Sequence, residues 1–201
     1  MISIFDYGAG NLRSVQNTLG AIGAEYELIR DAGALRRSTK VILPGVGHFG
    51  QMMRALDELD VRGALTEIIG AGVPFLGICL GLQALFTSSE EAPEENGLSI
   101  YQGHVKRFQG DMRIPHMGWN QLQPLRPSRL LRDICNKPGE LPYVYFAHSY
   151  YVPVVPATAA ICEYAVPYTA VLELDNVSGV QFHPEKSGDL GLRIVKNFVE
   201  S

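Results

Sequence analysis

The run Gly77-Ile78-Cys79-Leu80-Gly81 constrains what this chain can fold into more than any other stretch. Val73-Pro74-Phe75-Leu76 before it is an apolar run of strand length, and Leu82, Ala84, Leu85 and Phe86 after it read as a helix. The cysteine therefore falls where a strand turns sharply into a helix. A glycine two residues away on each side suits that turn, because a Cβ would clash as the backbone doubles back. Gly-x-Cys-x-Gly is the thiol counterpart of the Gly-x-Ser-x-Gly nucleophile elbow. It lifts the sulfur to the carboxyl end of a sheet and turns backbone N–H groups of the following helix toward it. Those donors suit a developing oxyanion, and the positive helix end favours a thiolate. Taken alone, the same letters also describe a small buried cysteine in an apolar strand.

The elements before Cys79 show what kind of sheet holds it. Ile2 to Phe5 reads as a strand, closed by the loop Asp6-Tyr7-Gly8-Ala9-Gly10-Asn11 and followed by a helix with Leu12, Val15, Leu19 and Ile22 at helical spacing. A strand, a glycine loop and a helix resemble the start of a dinucleotide site, but Arg13 occupies the place of the third glycine, and no Walker A sequence appears. Tyr26–Ile29 and Val41–Leu43 read as the next strands. The latter runs into Pro44-Gly45-Val46-Gly47-His48-Phe49, either a plain strand-to-helix connection or a tight backbone whose N–H groups face a ligand. One helix then carries Met52, Met53, Leu56 and Leu59. Asp60 is the expected N-cap of another, with Leu65, Ile68 and Ile69 inward and Gly72 as its stop. This alternation predicts an α/β fold with a mostly parallel sheet and helices on both faces. Ligands of such sheets bind at the carboxyl ends of the strands, where the Pro44–Gly47 loop and Cys79 fall.

After Cys79 the texture changes. Residues 88–97 are acidic and rich in loop formers, which predicts a solvated loop rather than a metal site. Short extended runs follow at 103–108, 118–122, 143–152, 157–164, 169–174 and 178–182. They are expected to extend the sheet with antiparallel strands and a flap. Leu190, Ile194, Val195 and Phe198 then make a closing helix. With 201 residues, no linker and no repeat, residues 1–201 read as a single domain that buries roughly 70% of its unfolded surface. A net charge of −4 gives no reason to expect nucleic acid or an anionic membrane as partner. Cys79, Cys135 and Cys162 are odd in number and widely spaced, which fits reduced thiols in a cytoplasmic setting. No targeting segment is visible, and no membrane span of ~20 apolar residues, metal or cofactor is expected.

His183-Pro184-Glu185, directly after Gly179-Val180-Gln181-Phe182, supplies what a cysteine nucleophile needs. In an extended segment residues i and i+2 project to the same side, and Pro184 favours an extended backbone at His183. The carboxylate then holds one ring nitrogen and leaves the other for the thiol, the logic of a catalytic triad. An imidazolium beside a cysteine lowers the thiol pKa from ~8.5 toward ~3.5–7.5. His48, His104 and His116 lack a carboxylate at that spacing. His148, in Ala147-His148-Ser149-Tyr150, fits a substrate-lining role and a structural one equally.

These residues resemble the class I, triad-type glutamine amidotransferases: Gly77-Ile78-Cys79-Leu80-Gly81-Leu82-Gln83 with His183-Pro184-Glu185. Within that class the chain is similar, nearly end to end, to the glutaminase subunits of imidazole glycerol phosphate synthases. The stretches that carry this are Asp6–Asn11, Pro44–Phe49, Pro115-His116-Met117-Gly118-Trp119-Asn120 and Gln181–Ser187. The resemblance implies a class I amidotransferase, flavodoxin-like fold and a catalytic Cys79, His183 and Glu185. It implies oxyanion donors at Leu80 and in the Val46-Gly47 turn, and L-glutamine held by Gln83, Ser149 and Tyr150. It also implies a (β/α)8 cyclase subunit as heterodimer partner, in histidine biosynthesis, touching Asn11, Tyr145 and Lys186. Ala165 and Ser99 depart from it, since glycine is usual at both places. Two rivals are another stand-alone glutaminase, such as that of pyridoxal phosphate synthase, and a regulatory subunit without turnover. Gly45-Val46-Gly47-His48, in place of a Gly-Gly-Glu-Ser loop, stands against the first, and the intact Cys79, His183 and Glu185 against the second.

Overall fold

The computed structural model describes residues 1–9, 11–134 and 141–201; Gly10 of the first loop and Cys135 lie outside them. The first part alternates as expected: β1 (Ile2–Phe5), α1 (Leu12–Ala21), β2 (Tyr26–Ile29), α2 (Ala32–Arg37), β3 (Val41–Gly45), α3 (Phe49–Glu58), α4 (Arg62–Gly70) and β4 (Phe75–Cys79). Of these, α2 buries only Leu35, too little periodicity to see in the sequence. The second part holds α5 (Leu80–Gln83), β5 (Phe86–Ser89), β6 (Tyr101–Arg107), β7 (His116–Gln121), β8 (Gln123–Pro124), β9 (Tyr143–His148) and β10 (Tyr150–Tyr151). It closes with β11 (Thr158–Tyr164), β12 (Val166–Leu174), β13 (Val177–Val180), a 3-10 turn (Pro184–Lys186) and α6 (Gly188–Glu200).

An eight-stranded sheet in the order β2-β1-β3-β4-β13-β12-β11-β8 organises the chain. Its first five strands pair in parallel, and β12, β11 and β8 add antiparallel pairs. The parallel part has the flavodoxin-like strand order. A three-stranded sheet (β10-β6-β5) and a two-stranded antiparallel sheet (β7-β9) stand apart from the main sheet. The inner parallel strands β1, β3, β4 and β13 are buried along their whole length because both faces are covered, whereas the edge strand β2 carries Glu27 and leaves Leu28 exposed. Val41, Leu43 and Phe75 enter one core cluster with Met52, Met53, Leu56 and Leu65 of α3 and α4. Ile42, Leu76 and Ile78 enter the other with Val15 and Leu19 of α1 and Ile194 and Phe198 of α6. At the far end of α6, Lys40 Nζ donates to the carbonyls of Phe198 and Val199, both at 2.9 Å, and satisfies groups a helix end leaves orphaned. Among the described residues no helix is long and apolar enough to cross a membrane, and no group of three or more metal-ligating side chains occurs.

Four local expectations are corrected. Asp60 is not an N-cap: it has φ 51, its N–H donates to Asp57 O at 2.9 Å, and it closes α3, while Val61 precedes α4. The helix after Cys79 stops at Gln83, because Leu98 and Tyr101 N–H groups take the Ala84 and Leu85 carbonyls (2.8 and 3.0 Å) that a longer helix would use. Phe86 accordingly opens β5. The acidic stretch is more than a solvated loop, since the Glu91 carboxylate accepts from Phe49 N–H at 2.8 Å at the start of α3. Finally, the segment after His183 is a 3-10 turn rather than extended chain.

Ala165, in the turn between β11 and β12, and Ser99 adopt φ 64 and 54. A Cβ costs about 1–2 kcal/mol in that left-handed region, partly offset by the extra freedom glycine has when unfolded. Ala165→Gly and Ser99→Gly should each stabilise by about 1 kcal/mol, or roughly 2–4 °C in Tm for a chain of this size. Calorimetry tests this; an unchanged or lower Tm would mean the turns carry no such strain.

Candidate active site

Cys79 is the last residue of β4 and carries the strain of the elbow itself, at φ 53 and ψ −105. Gly77 meets the need the sequence implies, room for the backbone to double back, and Gly81 meets a further one, the close approach of the neighbouring strand. A Cβ on Gly77 would sit 2.5 Å from Gly81 O, and one on Gly81 would collide with the Leu43 carbonyl of β3. The glycines let the elbow fold onto itself and onto the neighbouring strand. Since α5 has only four residues, its dipole adds little at the sulfur, against expectation. The sheet register sets Gly45 beside Cys79 and Val180 beside Ile78. The residues just beyond β3, β4 and β13 therefore converge at one end of the sheet.

His183 and Glu185 meet there. The ring Nδ1 lies 2.8 Å from Glu185 Oε1, and both side chains are almost fully buried. Glu185 reaches the ring because the turn at Pro184–Lys186 curls it back, whereas His183 stays extended at φ −100 and ψ 96. His183 is pinned to β9, since its N–H donates to Tyr145 O at 2.9 Å and its carbonyl accepts from Ser187 Oγ at 2.7 Å. Burial alone lowers the pKa of the ring. The charge and hydrogen bond of Cys79, then the hydrogen bond and charge of Glu185, outweigh burial and push His183 up to about 10. Cys79 and Glu185 thus both favour the protonated form of the ring.

A cavity of about 200 Å³ opens over this pair. Val46, Gly47, Cys79, Leu80, Gln83, His148, Ser149, Tyr150 and His183 line it, with Glu91, Pro115, Met117 and Ala147. Its size suits a small metabolite rather than a nucleotide. Glu185 stands behind His183, outside the lining. Leu80 begins α5, so its N–H has no partner within the helix. Val46 behaves otherwise: its N–H donates to the Tyr7 hydroxyl at 3.2 Å, and that hydroxyl donates back to Val46 O at 3.2 Å. Burial pushes Tyr7 up to about 12, so the phenol keeps its proton. In this conformation the Val46 N–H is committed to Tyr7. Gln83 Nε2 donates to Tyr150 O at 2.9 Å and to Gln181 Oε1 at 3.1 Å, while Gln181 Nε2 lies 3.5 Å from Cys79 Sγ. Sequence reasoning passed over Tyr7 and Gln181. Only the i−2 placement of Gln181 before His183 hinted at it.

The remaining histidines divide by contact. His48 accepts from Gly50 N–H at 3.1 Å as the N-cap of α3, and His104 bonds Ser88 on the surface. His148 is both lining and structural, since its Nδ1 donates to Tyr150 O at 2.8 Å. Tyr168 OH bridges His148 Nε2 (3.3 Å) and His116 Nδ1 (3.2 Å). Burial pushes His116 down to about 4 and His148 to about 3, so both are neutral when folded. In the unfolded chain they take protons below about 6.5, hence stability present above that pH is lost as the pH falls toward 4. The expected slope is up to about 1.4 kcal/mol per pH unit for each ring. Urea unfolding at pH 7 and pH 5 measures it, and His116→Asn should flatten it. Equal stability at both pH values would rule out buried neutral rings.

The profile of the glutamine amidotransferase class-I family matches residues 3–201. The chain belongs to the class-I glutamine amidotransferase family. Among curated relatives, the imidazole glycerol phosphate synthase subunit HisH of Methanothermobacter thermautotrophicus is 46% identical over 201 residues, covering 100% of this chain and 98% of that protein. The HisH subunit of Moorella thermoacetica is 45% identical over 203 residues, covering 99% and 94%. Solved structures share the fold at lower identity. A glutamine amidotransferase crystal structure superposes with a TM-score of 0.76 at 17% identity, covering 99% of this chain and 97% of that one. PurLQS from Thermotoga maritima gives 0.76 at 18%, with the same coverage.

On this class-I amidotransferase the three expected partner-contact residues lie outside the cavity. Lys186 Nζ sits 5.7 Å from the centre of the Tyr145 ring, a cation–π contact, and Trp119 meets Tyr145 edge-on at 6.1 Å. Trp119 and Met117 are 54% and 60% exposed on β7, a large apolar exposure beside the site. Asn11 precedes α1, which packs against the Pro184–Lys186 turn.

Proposed function

We infer that this chain is the glutaminase subunit of an imidazole glycerol phosphate synthase. The carrying observation is the His183 ring, braced by Glu185 at 2.8 Å and sharing a small cavity with Cys79, in a chain with full-length relatives named as that subunit. In this reading residues 1–201 form one amidotransferase domain, because one eight-stranded sheet joins β1 to β4 of the first part with β8, β11, β12 and β13 of the second and α6 packs on it. Cytoplasmic residence follows from the need for a reduced Cys79.

Cys79 attacks the side-chain carboxamide carbon of L-glutamine as a thiolate, and the carbonyl oxygen becomes an oxyanion. The Leu80 N–H and a donor of the Val46-Gly47 turn receive it. His183 gives its proton to the amide nitrogen, the C–N bond breaks, and ammonia leaves a glutamyl thioester. Water then adds to the thioester carbon while neutral His183 takes its proton, and the C–S bond breaks to free glutamate and the Cys79 thiolate. Glu185 holds the ring throughout. Gln83 and the backbone of Ser149 and Tyr150 hold the amino-acid end of glutamine. No cofactor or metal is needed.

Ammonia passes to a (β/α)8 cyclase subunit, which forms imidazole glycerol phosphate and releases an aminoimidazole carboxamide ribotide. The partner docks on the face with Asn11, Tyr145 and Lys186, and Tyr145 is tied to His183 by the hydrogen bond from the His183 backbone N–H to its carbonyl. The test is glutamate production by the purified chain with and without the cyclase subunit and its ribonucleotide substrate. Turnover that rises with the cyclase complex supports the reading; none under either condition rejects it. Lys186→Ala and Asn11→Ala should reduce the stimulation ratio about fivefold or more with little change in Tm. An unchanged ratio in both, with the complex still formed, would move the contact surface elsewhere.

A further inference from the structure

We propose that Gln181 is a further catalytic residue, whose side-chain amide holds an N–H on the Cys79 sulfur in both halves of the reaction. The inference rests on the glutaminase reading of Cys79. Gln181 is wholly buried, and both ends of its amide have partners: Oε1 accepts from Gln83 Nε2 at 3.1 Å and Nε2 lies 3.5 Å from Cys79 Sγ. The direction of that amide is forced. Tyr150 O is a carbonyl and can only accept, so Gln83 must turn its NH₂ toward it, at 2.9 Å. The same NH₂ also reaches Gln181, so Gln181 must answer with its oxygen. Its own NH₂ is then left facing the sulfur. His148 Nδ1, 2.8 Å from the same Tyr150 carbonyl, fixes the origin of the chain from a second side.

A sulfur accepts weakly as a thiol and strongly as a thiolate, so this N–H favours the charged form. His183 also faces the sulfur, but its proton leaves with ammonia. An amide N–H cannot be given up in that way. Gln181 is therefore a donor that persists when Cys79 departs from the thioester and regains its charge. Gln83, which lines the cavity, sets the direction of that donor. Substrate-binding and nucleophile-holding groups thus share one hydrogen-bonded chain.

Two variants separate this role from packing. Gln181→Met keeps the volume and removes the donor; Gln181→Glu still accepts from Gln83 but offers the sulfur no N–H. The measurements are kcat and KM for glutamine, and the rate of Cys79 alkylation by iodoacetamide without glutamine. Alkylation and kcat should both fall about tenfold, with KM for Gln181→Glu changed less than about threefold. Alkylation at the wild-type rate, whatever happens to KM, overturns the proposal, since a packing role alone would spare it. Should either variant not fold, nitrogen NMR of the Gln181 side-chain amide in otherwise native protein gives the answer. Its signal should move when Cys79 is alkylated or replaced by alanine, and an unmoved signal overturns the proposal. A wild-type protein that alkylates normally but does not hydrolyse glutamine would instead refute the glutaminase reading, leaving the Gln181 contact to the NMR result.

Discussion

Cys79→Ala should lower glutamine hydrolysis by on the order of 10⁶-fold, the loss seen when a nucleophile acting as part of a unit is removed. The expectation follows from placement. Of the cysteines among the described residues, Cys79 alone sits at the strained elbow, in the cavity, opposite His183. Cys162 is buried in β11, and burial pushes its thiol up to about 11, so it stays neutral and inert. Cys162→Ala should therefore leave hydrolysis nearly intact. Coupled glutamate release, followed at saturating glutamine with the cyclase present, measures both. The Cys79→Ala complex should still close the imidazole ring when ammonia is supplied directly, because only the ammonia source is lost. Substantial hydrolysis by Cys79→Ala would end the thioester mechanism.

The second large effect separates His183 from Glu185. His183→Ala removes the proton carrier and should be as damaging as loss of the cysteine, about 10⁶-fold. Glu185→Gln keeps the shape but cannot offer a carboxylate to Nδ1, and should cost about 10⁴-fold. A pH signature accompanies it. Cys79 and Glu185 hold the ring charged to about pH 10, so replacing Glu185 should shift the alkaline limb of activity to lower pH. The stability sign agrees. The folded value lies above the unfolded ~6.5, so this contribution is complete below pH 6.5 and disappears as the pH rises through about 10. Glu185→Gln should therefore lower Tm more at pH 6 than at pH 10.5. Equal activity losses in the two variants, or a fully active Glu185→Gln, would reverse the assignment of orienter and proton carrier.

The sequence alone determined the frame. Continuous apolar runs at β1, β3 and β4, spaced by helical periodicity, specify a parallel sheet covered on both faces, and that places Cys79 and the residues after β13 at one end. Gly-x-Cys-x-Gly and His-Pro-Glu are local patterns of residue type and spacing, so Cys79, His183 and Glu185 stand out as candidates in the sequence, and the fold brings them together. What tertiary structure decided depends on partners distant in sequence. The helix after Cys79 ends at Gln83 because Leu98 and Tyr101 claim its next carbonyls. Glu185 reaches His183 through a 3-10 turn, which the i, i+2 argument does not contain. Gly81 is required by the close approach of Leu43 on the neighbouring strand, which no local pattern contains. Tyr7 holds the Val46 N–H across 39 positions, and Gln181 meets Gln83 across 98. Periodicity reports which face of an element is apolar. It is silent on which polar atoms a folded sheet brings within hydrogen-bond distance, and there the fine structure of this site is set.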